Sequence, residues 1–316
     1  MRVQVFCCFT ALFAVSWAQV PQTADQKLDA GLRLLEHNCG DCYGGSAGEF
    51  DRGVRMVEEA LRAGVKQRKK AMLALVDAYG EYAFSYNTAR PMSEETRASW
   101  HKRIEDLYKE MLRDYPTDVD LLMSYANTLQ PKRKLPIVLQ ALKMRPDDTK
   151  IMTSVAFARI GSGDIKTGVD EYVRVVRLKS ADPDSIESDS SDLCLYLRAQ
   201  DASQYIPEVQ AAALEALAAQ SKAGVVRAVF ASAILHVEFG QAKVGVEEFI
   251  RGVHMESADE NTIQEKLEKI AAKLSDGARE NAQYIDQVSL AADEALKARA
   301  EAKARAGKKA PQEKKK

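Results

Sequence analysis

One amphipathic stretch of the chain occurs twice. Residues 168–182 read GVDEYVRVVRLKSAD, and residues 245–259, which lie 77 positions later, read GVEEFIRGVHMESAD. Over the longer windows 163–182 and 240–259, ten of twenty positions are identical, and four of the ten differences keep size and polarity. The apolar residues of each copy recur with the spacing of one helix face. Two copies of one amphipathic helix in the sequence predict an architecture of repeated structural units.

Both copies place a glycine four residues before an aromatic side chain. The pairs are Gly168 with Tyr172 and Gly245 with Phe249, and small and apolar residues have the same spacing within residues 53–60. A glycine lets a neighbouring helix approach closely, and the side chain four positions later lies on the same helix face. We therefore expect each copy to be the second helix of a helical hairpin.

The rest of the chain has the composition of an all-α protein. Ala, Leu, Glu, Lys and Arg fill long stretches, while 17 Gly and 9 Pro among 316 residues are few, and strand-like alternation is nearly absent. Short breaks with turn residues separate the periodic segments. The predicted helices span residues 24–37, 49–63, 66–88, 93–114, 118–130, 134–144, 148–161, 165–179, 190–200, 204–220, 224–239, 242–255 and 260–304.

A resemblance to a known family appears in two neighbouring segments. In DLLMSYANTLQ, Leu121 and Tyr125 stand at the leucine and tyrosine places of the tetratricopeptide repeat. In IVLQALKMRP, Ala141 stands at a small place and Pro146 at the closing proline. The chain thus resembles this family of helix-turn-helix units of about 34 residues. The resemblance implies an all-α, right-handed superhelical solenoid, and the periodicity adds a long C-terminal helix; a compact helical bundle is the alternative.

The 77-residue offset equals two units of 34 residues plus nine extra residues. We place these extra residues in the acidic segment ADPDSIESDSSD, and we expect residues 182–192 to form a solvated loop. A calcium loop would need a sharp glycine turn and a closing glutamate, and this segment has neither.

Stacked hairpins leave a continuous concave surface formed by the first helix of each pair. The resemblance therefore implies a groove that captures a protein or peptide partner, which would make the chain a scaffold. No nucleic acid partner is expected. The residues predicted to line the groove are Asp120, Met123, Asn127, Ser154, Phe157, Ile234 and Glu238.

The two ends of the chain differ in character from its middle. Residues 1–18 run from a basic start through an apolar stretch to small residues, which is typical of a secretory signal peptide cleaved near Ala18. We therefore expect an exported protein, periplasmic or secreted and possibly envelope-associated. The tail from Lys297 holds nine Lys/Arg and two Glu. The predicted domains are a signal peptide at 1–18, repeats at 24–259, a C-terminal helix at 260–304 and a disordered basic tail at 305–316.

The basic tail suggests a second class of function. A tail of this charge is usually solvated, but it can also attach a protein to an anionic envelope surface. Membrane contact is expected only through this tail or through the signal segment.

A pair of cysteines is the strongest candidate for chemistry. Cys39 and Cys42 form a C-x-x-C after the first predicted helix, where an exported chain can close a local disulfide. Thiol-disulfide redox chemistry is the alternative function, although a redox pair is expected at a helix N-terminus. A zinc site would lack a fourth ligand, and Tyr43 stands where a c-type haem needs histidine.

No other pattern predicts catalysis. The sequence has no G-x-S-x-G, no phosphate loop and no H-E-x-x-H, so we expect no catalytic residues, no metal and no cofactor. Tyr79, Tyr82 and Tyr86 share one helix face, which is read as a core stripe or, alternatively, as part of a binding surface.

Overall fold

The computed structural model describes residues 23–37, 47–84, 93–277 and 281–308. Within these ranges the regular structure is helical. The chain forms two compact units that divide between Leu121 and Leu122. The prediction of an all-α chain of stacked helix-turn-helix units is confirmed within them. The predicted signal peptide, Cys39 and Cys42 lie outside the described residues.

Helical hairpins with close crossings build the first unit. Each helix packs against the next, and α1 also contacts α3. A Cβ atom added to Gly53 would lie 3.1 Å from the Gly31 carbonyl oxygen, so two glycines let α1 and α2 cross closely. The helices of this unit are α1 (Ala24–His37), α2 (Ala47–Arg62), α3 (Arg68–Phe84) and α4 (Glu94–Asp114).

The second unit continues the helix-turn-helix pattern. The division falls inside α5 (Val119–Asn127). The helices that follow are α6 (Pro131–Met144), α7 (Thr149–Gly161), α8 (Ile165–Val176), α9 (Pro183–Ala199), α10 (Ile206–Lys222), α11 (Val226–Glu238), α12 (Ala242–Val253), α13 (Glu260–Asp276) and α14 (Ala282–Lys308).

Stacking in the second unit follows the order of the hairpins. Helices α7 and α8, α9 and α10, α11 and α12, and α13 and α14 form successive pairs. The first helices α7, α9, α11 and α13 lie side by side, while α8 packs on α10 and α12 packs on α14. A single face of first helices therefore runs through this unit.

The repeated stretch contributes to α8 and α12, which are the second helices of two hairpins, as the sequence predicts. A Cβ atom on Gly168 would lie 2.7 Å from the Ala156 carbonyl oxygen, and one on Gly245 would lie 2.7 Å from Val237 Cγ2. Tyr172 and Phe249 are fully buried above these contacts. The sequence stretch recurs because both hairpins contain the same close helix crossing.

The predicted single helix over residues 260–304 is wrong. Helix α13 ends at Asp276, and Gly277 has extended backbone at the C-cap. Helix α14 then packs back on α12 and α13, and its apolar residues share one core with Ile234 and Phe249. Arg299 donates to carbonyls of Val253, Met255 and Ala258. The repeat domain therefore does not end at residue 259, because α13 and α14 form one further hairpin.

The last helix extends into the segment predicted to be a disordered tail. Helix α14 continues to Lys308, so residues 305–308 are helical rather than disordered. Residues 309–316 lie outside the described part of the chain.

The predicted acidic loop over residues 182–192 is wrong as well. Asp182 is the N-cap of α9 and accepts a hydrogen bond from the Ser185 backbone N–H, while Pro183 occupies the first turn. The extra residues lengthen the helices of this hairpin. Helices α9 and α10 span 17 residues each, against 13 for α7 and 12 for α8. The acidic side chains are consequently held on a helix.

Candidate functional site

An open pocket of about 530 Å³ lies in the second unit where α6, α7 and α9 come together. We call it the α7–α9 pocket. Its lining combines apolar, aromatic and charged side chains: Leu129, Pro131, Lys134, Phe157, Ala158, Asp192, Leu195 and Tyr196. A mixed lining of this kind is typical of a binding site, because apolar contact supplies affinity and a few polar groups supply specificity.

Aromatic packing gives the pocket its apolar part. The rings of Phe157 and Tyr196 are stacked, with centroids 6.3 Å apart, and Tyr172 meets Phe157 edge to face from the core. Leu195 is 60% exposed, although an apolar residue of this size gains from burial. The pocket thus leaves an apolar surface without a covering partner among the described residues.

A small residue allows Tyr196 to take this position. A Cβ atom on Gly161 would clash with the Tyr196 hydroxyl and lie 2.6 Å from two ring carbons of Pro131. The end of α7 must therefore be glycine for the tyrosine and the proline to share this wall of the pocket.

The α6 side of the pocket carries a cation. Lys134 Nζ donates to Asn127 Oδ1 over 2.9 Å. Burial lowers the pKa of the Lys134 ammonium. This lysine is therefore held by an uncharged amide of α5 at the edge of the pocket.

Helix α9 presents two charged faces to its neighbours. Asp184, Glu187 and Ser191 recur at intervals of three and four residues on the face toward α11 and α13, which we call the paired face. Asp189 and Asp192 recur on the face toward α7, which we call the pocket face. One helix therefore separates two sets of carboxylates.

Cations from the following hairpins neutralise the paired face. Lys266 Nζ lies 3.0 Å from Asp184 Oδ1, and Lys269 Nζ lies 2.7 Å from a Glu187 oxygen. Arg227 also pairs with Asp184. Only 2% of Glu187 and 3% of Lys266 is exposed. Charges buried to this extent require partners, and this face provides them.

The ion pairs of the paired face also affect the pKa values of its two carboxyl groups. Burial favours a raised pKa for Asp184, but hydrogen bonds from Arg227 and Lys266 outweigh it and hold the pKa below the ordinary value. Burial dominates at Glu187 and raises its pKa even though Lys269 opposes the shift. The Asp184 carboxyl is therefore matched to its cations, whereas the ion pair of Glu187 with Lys269 does not offset the effect of burial.

The pocket face lacks such partners. Asp189 and Asp192 have no ion pair in the part of the chain that the structure describes. Asp189 lines a small cavity against α7, together with Lys150 and Thr153. Burial, followed by the charge of Asp192, raises the pKa of Asp189 to about 6. The pocket face therefore holds two carboxylates that repel each other.

We predict that Asp189→Asn stabilises the protein at neutral pH. The folded pKa of Asp189 is raised, so its ionised form is penalised above about pH 6, and the penalty is relieved as the pH falls toward the ordinary value of 3.8. We expect urea unfolding to show a gain of about 1 kcal/mol at pH 7.5 that vanishes near pH 4, a figure discounted for partial exposure. Asp293→Asn, which removes an exposed carboxylate of α14 far from Asp189 in the sequence, is the control. An equal gain at both pH values would contradict this account.

The predicted groove residues fall into different environments. Phe157 lines the α7–α9 pocket, and Asn127 holds Lys134 at its edge. Met123 and Ser154 are half-buried, with Met123 packed on the core beside Val138. Asp120 is exposed in the first turn of α5 and belongs to the first unit.

Two groove predictions in α11 are corrected. Ile234 is 0% exposed, because α9, α10, α12 and α13 all pack against α11. Glu238 is engaged by Lys273 of α13 and by the Ser191 hydroxyl of α9. Both side chains hold the fold together, and neither lines an open groove.

Sequence reasoning missed most of the pocket. Leu195, Tyr196 and Asp192 belong to a segment whose first half was expected to be a loop. The run Asp182-Pro183-Asp184 is the signal that could have found the helix, since it supplies an N-cap, a proline in the first turn and an acidic residue beside the positive end of the helix dipole.

The other candidates for chemistry have structural surroundings. Burial raises the pKa of the Cys194 thiol to about 11, so this buried cysteine is held as a thiol. Tyr79 is buried and donates to Glu58, and Tyr82 stacks on Trp100. These tyrosines form an aromatic cluster inside the first unit, in line with the core interpretation; Tyr86 lies outside the described residues.

Two features are absent from the described residues. No group of three or more His, Cys, Asp or Glu side chains is arranged to hold a metal ion there. Among the helices in those same ranges, none combines the length and apolar character required to span a membrane.

Comparison with known proteins gives structural likenesses of low similarity. No protein-family model matches the chain, and no curated protein matches it. The crystal structure of the P58(IPK) TPR domain is similar at 14% identity and TM-score 0.26, covering 87% of this chain and 79% of that one. A human IFIT1 dimer with PPP-AAAA is 14% identical with TM-score 0.21, covering 89% and 86%. A circular tandem repeat protein is 14% identical with TM-score 0.22, covering 87% and 70%.

Proposed function

We propose that the chain is an exported protein-binding scaffold and that the α7–α9 pocket is its main contact with a partner. The exposure of Leu195 carries the proposal. This leucine stands at the rim of a pocket of about 530 Å³ with Phe157 and Tyr196 inside it. Covering apolar surface is the main favourable contribution to protein association, and aromatic side chains dominate such contacts.

The arrangement of the helices supports binding rather than catalysis. The pocket is formed by side chains from three helices of a stacked array, which hold their positions because each hairpin packs on the next. A rigid surface loses little conformational entropy on binding. Export is the part of the proposal that rests on residues 1–18 alone.

Site-specific crosslinking tests the proposal. A photoreactive phenylalanine analogue at position 195 of the full chain should give discrete protein adducts in the native host, and the same analogue at Ala218, an exposed position on α10, should not. The reason is that position 195 is buried by the partner and position 218 is not. We expect Tyr196→Asp to reduce the adducts formed at position 195, as read by immunoblot.

The control position decides the result. Identical adducts at positions 195 and 218 would show nonspecific contact and would argue against the α7–α9 pocket. Adducts at position 195 that are unaffected by Tyr196→Asp would also argue against the α7–α9 pocket, provided that circular dichroism shows the protein to be folded with and without this substitution.

A further inference from the structure

We propose that the α7–α9 pocket recognises a peptide segment in which a large apolar side chain is followed closely by arginine or lysine. This inference rests on the proposed function and deepens it by naming the chemistry of the partner. The apolar side chain would lie against Phe157 and Leu195, and the cation would reach Asp192 and Asp189 on the pocket face of α9.

The first argument is the difference between the two faces of α9. The carboxylates of the paired face have received Lys266, Lys269 and Arg227 from the two hairpins that follow. The carboxylates of the pocket face have no ion pair among the described residues, although they lie on the same helix. Cations of the protein itself neutralise the paired face of α9, whereas the pocket face can accept a cation from a partner.

The second argument is the position of the carboxylates relative to the apolar surface. Asp192 lines the pocket together with Leu195 and Tyr196, which are three and four residues further along α9. Residues at these spacings are neighbours on a helix face. A cation that reaches Asp192 therefore brings its peptide across the apolar surface, where the adjacent side chain can be buried.

The third argument concerns the other charges that face the pocket. Lys134 stands on the α6 side and is held by Asn127, whereas Lys150 lies beside the small cavity that Asp189 lines. The α6 side therefore disfavours a further cation, whereas the α9 side favours one, since Lys150 forms no ion pair with Asp189 among the described residues. This asymmetry fixes the direction of the peptide, with its cationic residue toward α9.

The charge of Asp189 is expected to affect both the stability of the free protein and its affinity for the peptide. Its pKa is raised to about 6 by burial and by Asp192, so the ionised pair is held at a cost in the free protein. A bound arginine or lysine would relieve the repulsion. A residue that lowers the stability of the free protein and is relieved by a ligand is expected at a binding site rather than at a structural position.

Short labelled peptides test the inference by fluorescence anisotropy with the full chain. The first probe carries leucine next to arginine; in the second, glutamate replaces arginine, and in the third, serine replaces leucine. We expect the first to bind, and each of the others to bind about tenfold more weakly or not at all. Added salt should weaken the first probe, because charge pairing contributes to its affinity.

Variants of the full chain locate the contacts. Asp192→Asn and Asp189→Asn should each weaken the arginine probe about fivefold, and Leu195→Ser should weaken it by a similar factor. Asp170→Asn, which removes an exposed carboxylate of α8 on the other side of the hairpin, should leave its affinity unchanged. Because Asp189→Asn is expected to stabilise the fold, its loss of affinity cannot come from unfolding.

The outcomes separate this inference from the proposed function. Tighter binding of the glutamate probe, with sensitivity to Leu195→Ser and Lys134→Met, would overturn the cationic partner but support the pocket. Peptide binding that is unchanged in Leu195→Ser, Asp189→Asn and Asp192→Asn would overturn both the inference and the proposed function of the pocket. A failure of all three probes to bind would overturn the inference, whereas the crosslinking result at position 195 would still decide the proposed function.

Discussion

Replacing Gly245 with alanine is expected to lower the free energy of unfolding by about 3 kcal/mol, the upper part of the range for an overpacked core. The added Cβ atom would meet the Ala233 carbonyl oxygen and would lie 2.7 Å from Val237 Cγ2 and 3.1 Å from the Val237 backbone N. Two of these neighbours are backbone atoms of α11, so α12 must move away from its hairpin partner. Urea unfolding followed by circular dichroism measures the loss.

Gly80→Ala is the matched control for this prediction. Gly80 lies inside α3, and apart from its chain neighbours and the nearby backbone of its own helix, no described atom lies within 4 Å of a Cβ atom added there. Alanine has the higher helix propensity, so this variant should be unchanged or more stable by about 0.5 kcal/mol. Equal effects of the two substitutions would mean that the close crossing of α11 and α12 is not what requires glycine.

Lys269→Met is expected to cost about 2 kcal/mol at neutral pH, less than a fully buried pair because 37% of the lysine side chain is exposed. The variant leaves the Glu187 carboxylate, of which 2% is exposed, without the cation at 2.7 Å. The pKa of Glu187 is already raised by burial, and loss of Lys269 raises it further. Ionised Glu187 is then penalised most above its folded pKa, so the loss should shrink as the pH is lowered.

Two further variants sharpen this result. The double variant Glu187→Met with Lys269→Met should recover most of the stability, since both charges are removed together. Lys243→Met breaks an exposed pair on α12 and should change stability by less than about 0.5 kcal/mol. A loss for Lys269→Met that persists at acidic pH, or that the double variant does not repair, would contradict a charge-pair role.

The repeated elements were predictable from the sequence because they rest on local chemistry. Gly168 and Gly245 are required by close helix crossings, and the aromatic residues four positions later are buried as their spacing indicates. The turn glycines Gly163 and Gly240, which also lie 77 positions apart, have positive φ of 97° and 81°. Identical geometry therefore imposed identical residues on both copies.

The acidic half of α9 was not predictable in the same way. Five acidic residues and several serines within residues 181–192 have low helix propensity, and tertiary partners override it. Lys266 and Lys269 pair with residues 82 positions earlier, a relation that local pattern reading does not contain. Ile234 was misplaced for a related reason, since its burial depends on the α13–α14 hairpin, which was read as one helix.

The lysine pairs of α13 are among the contacts of long sequence separation in this protein. During synthesis α9 is made 82 residues before the lysines that neutralise its paired face. Until α13 emerges, Glu187 has no cation, and Asp184 can pair only with Arg227 of α11. Contacts of such long separation form late, because closing the chain over that distance costs entropy first. The unfinished protein therefore exposes two acidic faces for cations, and the finished one keeps only the face toward α7.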